Sequence, residues 1–122
     1  MGVMDPADLA RTIADLAADK KAIDLVELDV AGILDYTDRF IICSGNTDRQ
    51  TKAIADGISE GLKKEHGILP RRVEGLPEAR WILMDYLDVV VHVFTPEARE
   101  YYRLEQLWGE APKRAVGSAA AS

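Results

Sequence analysis

The run from Arg80 to Thr95, RWILMDYLDVVVHVFT, constrains this chain most, because it reads as two strands joined by a two-residue turn at Leu87-Asp88. In that register Tyr86 stands opposite Val89, and side chains alternate between the two faces of the sheet. One face then carries Ile82, Met84, Tyr86, Val89, Val91 and Val93, the composition of a core. The other carries Trp81, Leu83, Asp85, Val90, His92 and Phe94, which mixes aromatic rings with a carboxylate and an imidazole. Recognition surfaces use that mix, with rings supplying buried area and polar groups supplying direction. Helices on both sides of the sheet would instead make Trp81 and Phe94 ordinary core. The expectation carried forward is an exposed anchor cluster of Trp81, Leu83 and Phe94, with Asp85, Asp88 and His92 beside it.

The rest of the chain supplies elements for one mixed sheet. Asp5 and Pro6 form an N-cap and first-turn pair, and Leu9, Ile13 and Leu16 recur at helical spacing to about Lys20. Val26, Leu28 and Val30 alternate with Glu27 and Asp29, the pattern of a half-buried strand with its acids facing solvent. A loop through Asp35 and Asp38 leads to the apolar strand FIICS. Thr47 with Gln50 makes a capping box, and Thr51, Ile54, Ile58 and Leu62 line a helix that Gly67 stops. Within it, Gly57 and Gly61 are spaced for close helix packing, and His66 lies at the C-terminal end, where an imidazole suits the dipole. Arg72 to Glu74 reads as a short strand, reached by a crossover that predicts parallel neighbours. Thr95-Pro96 opens a last helix that repeats Tyr101, Leu104 and Trp108 on one side. The expected architecture is α/β: residues 1–112 as a single domain, a mixed five-stranded sheet with packed helices, and residues 113–122 as a disordered tail.

Composition narrows the function. A chain of 122 residues that is 48% hydrophobic can bury a core without disulfides or metal. A net charge of −6 argues against nucleic acid as the main contact, since backbone binding needs clustered Lys and Arg, and it favours basic protein partners. The single cysteine, Cys43, lies in an apolar strand and reads as a buried structural thiol in a reducing compartment. No apolar run approaches the length of a membrane span, and the start MGVMDPADLA has neither a basic leader nor an Arg-rich transit pattern, so a cytoplasmic protein is expected.

Catalysis has one candidate constellation: Asp35 with Asp38, and Asp85 with Asp88, which a metal-dependent nucleotidyltransferase would gather around Mg²⁺. The spacing does not suit it, because carboxylates three apart on a strand point to opposite faces. Asp88 fits a turn residue bonding its own backbone. His92 has no second His or Cys in reach as a co-ligand, so no metal site is expected.

The pattern WxLxDYxDVVVHVF from Trp81 to Phe94, followed by TPEAREYYRLEQLW, resembles the signature of the Iojap or ribosomal silencing factor (RsfS) family. Upstream, VELDV and DYTDRFIICSGNTDRQTKAIADGI also look like that family, so the resemblance runs from Leu9 to Pro112. Many members carry Gly where this chain has Leu87. The resemblance implies a nucleotidyltransferase-type fold and a non-catalytic factor without a cofactor. Such a factor binds the large ribosomal subunit through ribosomal protein uL14, blocks subunit joining and represses translation. On this reading Trp81, Leu83, Asp85, Asp88, His92 and Phe94 are the partner-binding set, which a homodimer could hide in the free protein. The alternative is a metal-dependent nucleotidyltransferase or nucleotide-binding enzyme.

Overall fold

The computed structural model describes residues 4–116. In chain order the elements are α1 (Pro6–Asp19), β1 (Ile23–Asp29), β2 (Arg39–Ser44), α2 (Asp48–His66), β3 (Arg72–Glu74), β4 (Trp81–Asp85), β5 (Val89–Phe94), α3 (Pro96–Tyr102), α4 (Leu104–Leu107) and β6 (Lys113–Ala115). The strands form one sheet in the order β3-β4-β5-β2-β1-β6. Among the described residues only β2 and β5 pair in parallel, with Phe40 beside Val90 and Ile42 beside His92. The other neighbours are antiparallel. The crossover after β2 therefore does find a parallel neighbour, but it is β5; β3 pairs antiparallel with β4 at the sheet edge.

The hairpin register is the one read from the sequence. Asp85 pairs with Val90 and Trp81 with Phe94, and the Tyr86 N–H donates to the Val89 carbonyl at 2.9 Å. The turn is tight: the Asp88 N–H also reaches the Tyr86 carbonyl at 3.0 Å, with Leu87 between them at φ +76°. That is the γ-turn form with positive φ, rare because a Cβ crowds the backbone there.

Both faces of the sheet are covered. On the first, Ile82, Met84, Tyr86, Val89, Val91 and Val93 join Ile41 and Cys43 beneath Leu9, Ile13 and Ala17 of α1 and Ile54, Ile58 and Leu62 of α2. Asp5 caps α1 and Thr47 caps α2 through their side chains, as the sequence indicates. Gln50, however, does not complete a capping box; its amide reaches across to the Lys20 carbonyl and ties the two helices. The glycines make that approach possible, since a Cβ on Gly61 would lie 2.5 Å from Leu16 Cδ2 and one on Gly57 2.6 Å from Lys20 Cγ.

Four expectations need correction. The sheet has six strands, because Lys113–Ala115, assigned to the tail, pairs antiparallel with β1. An unpaired strand edge offers free N–H and C=O groups, and the chain returns to satisfy them; the tail residues 117–122 lie outside the described residues. Glu27 does not face solvent but is 5% exposed between two guanidinium groups, bonding to Arg39 and, at 2.6 Å, to Arg114. The last helix is broken at Arg103, which adopts φ +48° between α3 and α4. That bend carries Leu104 and Trp108 onto the second face of the sheet, where they join Leu28, Val30, Phe40, Ile42, Val90 and Phe94. The fourth concerns Tyr101, expected on the buried side of that helix and in fact 79% exposed.

The turn yields a direct test. Leu87 is half-exposed, so Leu87→Gly removes little packing and relieves a backbone strain of about 1–2 kcal/mol, against an entropic cost of about 0.5–1 kcal/mol for the new glycine. The expected outcome is a net gain of up to about 1.5 kcal/mol, read as a melting temperature raised by up to about 6 °C.

Candidate functional site

β4 places Trp81, Leu83 and Asp85 on the second face of the sheet, all half-buried. Across the edge strand, Glu74 lies beside Leu83 and Arg72 beside Asp85. The neighbouring residues of β5 on that face are not surface at all. His92 is 4% exposed and Phe94 is fully buried. Of the expected anchor cluster, Trp81 and Leu83 therefore remain at the surface while Phe94 and His92 belong to the second core. The physical cause is the bend at Arg103. It is held by Arg99, whose guanidinium makes two 3.0 Å bonds to Glu105 and a third, also 3.0 Å, to Ser44 Oγ at the end of β2. A bidentate ion pair across six residues of chain fixes the corner that brings Leu104 and Trp108 into one cluster with Phe94 and Phe40, the ring against which His92 packs. The same contact holds the Glu105 carboxyl below its usual range.

His92 does its work from inside. Its Nδ1 accepts a bond from Trp81 Nε1–H at 3.1 Å, so the imidazole proton belongs on Nε2, which has no hydrogen-bond partner among the described residues. Phe40 packs edge-on against the ring at 4.8 Å. Burial lowers the imidazole pKa to about 3, so the ring stays neutral and remains an acceptor for Trp81. Trp81 is further stacked on Phe94 at 5.1 Å and meets Tyr102 at 4.6 Å. An indole at the surface is thus held in one orientation by a hydrogen bond and two rings, which is the pre-organisation that a binding anchor needs.

Of the candidate carboxylates, that of Asp85 is bonded within the fold. Asp85 accepts the Leu87 N–H at 2.8 Å and lies 3.5 Å from Arg72 Nε. Asp88 contributes through its backbone, its carbonyl accepting the N–H groups of Asp38 and Arg39 at 3.0 and 3.1 Å. Asp35 is exposed in the loop before β2. Among the described residues no three His, Cys, Asp or Glu side chains are grouped to hold a metal ion. Cys43 is buried, and desolvation pushes its thiol up to about 12, which makes it inert as a nucleophile. Among the described residues no helix is long and apolar enough to cross a membrane.

Sequence reasoning missed Tyr102 as a surface group. It is 47% exposed beside Trp81, with Tyr101 edge-on to it at 4.9 Å. A continuous helix through Trp108 assigns the wrong faces here, and no glycine or proline marks the break at Arg103.

Two measurements check this arrangement. Unfolded His92 takes up a proton near its ordinary pKa of 6.5, whereas the folded ring resists until about 3. Stability from this residue is therefore complete above the unfolded value and declines as pH falls, by up to about 1.4 kcal/mol per pH unit. His92→Gln retains an acceptor for Trp81 without titrating, so urea midpoints between pH 7.5 and 4.5 should fall less steeply than in the wild type. Trp81→Ala removes a ring that packs on Phe94 and orphans His92 Nδ1. The expected cost in urea unfolding is about 2–3 kcal/mol, below that of a fully buried aromatic because the indole is only partly buried.

The family model described as "Ribosomal silencing factor during starvation" matches residues 3–122. The protein named Ribosomal silencing factor RsfS from Bacillus subtilis is 46% identical over 109 residues, covering 89% of this chain and 92% of that protein. A crystal structure of a Chromobacterium violaceum protein superposes with a TM-score of 0.84 at 37% identity, covering 95% of this chain and 97% of that one. More distantly, the mouse protein named Mitochondrial assembly of ribosomal large subunit protein 1 is 31% identical over 98 residues, covering 79% of this chain and 43% of its own length. The similarity spans the whole sheet, including the Trp81 to Phe94 hairpin, and the chain belongs to the ribosomal silencing factor (RsfS) family.

Proposed function

We propose that this protein is a non-catalytic factor that binds the large ribosomal subunit through uL14, acts in the cytoplasm and lowers translation by keeping the subunits apart. The observation that carries the reading is the rigid open strip on β4: Trp81 oriented by His92, Phe94 and Tyr102, with Leu83 and Asp85 following it along the strand. The names of the Bacillus subtilis and mouse relatives point to the ribosome and, for the mouse protein, to its large subunit. A net charge of −6 suits a basic ribosomal protein and speeds encounter, with an association rate that falls as salt rises.

The mechanism asks for no reaction. A chain of this length has a radius of gyration of about 13–14 Å and a diameter of about 35 Å. Bridges between subunits need contacts of a few ångströms, so a body of that size seated beside one excludes the partner by volume. Trp81 and Leu83 supply the apolar centre of the interface, and Asp85 and Asp88 supply its charge.

Co-sedimentation with separated subunits tests this. The protein should pellet with large subunits and not with small ones; pelleting with neither, or equally with both, overturns the reading. Leu83→Arg places a charge in the centre of the strip and should weaken large-subunit binding at least tenfold, about 1.4 kcal/mol, while the melting curve shifts little.

A further inference from the structure

Beside the β4 strip the structure opens a groove of about 970 Å³, floored by Trp81, Ala98, Tyr101 and Tyr102. Its three rings form a bent step: Tyr102 meets Trp81 at 4.6 Å and 47°, and Tyr101 meets Tyr102 at 4.9 Å and 89°. Two of them leave much of their surface in water. Three acidic residues from separate elements line the same groove: Asp48 at the start of α2, Glu78 from the β3–β4 loop and Glu97 in the first turn of α3. Among the described residues none of the three forms an ion pair. Asp48 and Glu97 also complement the positive ends of their helices, which accounts for their places in the sequence. Glu78 has no such role. Among the described residues Arg80 is the single cation on the lining.

Aromatic faces attract cations through their ring quadrupoles, and nearby carboxylates add net negative potential. We propose that this groove receives a lysine or arginine side chain from a basic protein segment, with the alkyl stem on Trp81 and Tyr102 and the charged head toward Glu78 and Glu97. This rests on the reading of the protein as a binder of a basic ribosomal partner and deepens it, by assigning a second contact next to the β4 strip. An anionic ligand is disfavoured by three carboxylates against one arginine. A second copy of this acidic chain lacks the charge complementarity.

The test uses the full chain carrying Trp108→Phe, which leaves Trp81 as the only tryptophan, since the protein has two. A synthetic lysine- and arginine-rich peptide is titrated at low salt against a glutamate-rich peptide of equal length, with Trp81 emission as the readout. The basic peptide should shift the emission and saturate, and the acidic one should not. Tyr102→Ala should weaken binding at least tenfold, and so should the double variant Glu78→Gln with Glu97→Gln. Tyr102→Phe, which keeps the ring, should bind normally. Asp15→Asn with Asp19→Asn changes net charge equally on exposed positions of α1 and should leave binding within about twofold of the parent, allowing for weak long-range screening. Equal weakening by the α1 pair, unchanged binding in Tyr102→Ala, or equal binding of the acidic peptide overturns the proposal. A concentration-dependent dimer that Tyr102→Ala abolishes also overturns it, by making the groove a contact between copies. Subunit co-sedimentation separates the two claims. If wild type pellets with large subunits and the Tyr102 and Glu78/Glu97 variants pellet as well, the groove proposal falls alone. If wild type does not pellet, the functional reading falls, and the peptide titration still decides the groove.

Discussion

The parallel pairing of β2 with β5 is the constraint on which the rest of the structure depends. It joins two strands far apart in sequence, in register from Arg39 beside Val89 to Ser44 beside Phe94. Its ends are sealed by backbone bonds: Asp38 and Arg39 N–H groups to the Asp88 carbonyl at one, and Gly45 N–H to the Phe94 carbonyl, at 2.9 Å, at the other. A parallel central pair has to be covered on both faces, because its connections run over the sheet and its residues are apolar on both sides. Here the chain leaving β2 enters α2 on the first face, and the chain leaving β5 enters α3 and α4 on the second.

That second cover decides what the hairpin can present. With Ala98, Leu104 and Trp108 clustered around Phe94 and Phe40, Phe94 and His92 become supports and Trp81 becomes the partly exposed anchor they hold. A neutral imidazole suits the place, since a charged one would carry a large desolvation cost and could not accept from the indole. The arrangement makes the surface stiff where it is aromatic, and stiffness lowers the entropy lost on binding.

The opposite edge of the sheet is closed by charge. Glu27, buried between Arg39 of β2 and Arg114 of β6, ties the last described strand to the second one through β1. Desolvation offsets much of the attraction in such a cluster, so its main effect is on which strands pair; removing one partner would leave a buried charge uncompensated, which is strongly destabilising.

The period-2 alternation from Trp81 to Phe94 was enough to determine the hairpin, its register and the first core face, because a two-residue turn leaves no freedom in which side chains share a side. Caps at Asp5, Thr47 and Thr95 were legible for the same local reason: each oxygen reaches an N–H three residues on. The family, too, was legible in that run of residues. What the sequence could not decide was which hairpin residues on the second face meet water. That depended on the break at Arg103, a left-handed residue with no glycine to announce it, and on Arg99 meeting both Glu105 and Ser44. β6 was hidden likewise, since its three residues have little strand preference and pair only because β1 offers them an open edge beside Glu27. Alternation and capping act between near neighbours and can be read along the chain; cover and edge closure are set by groups tens of residues apart, and only the folded structure brings them together.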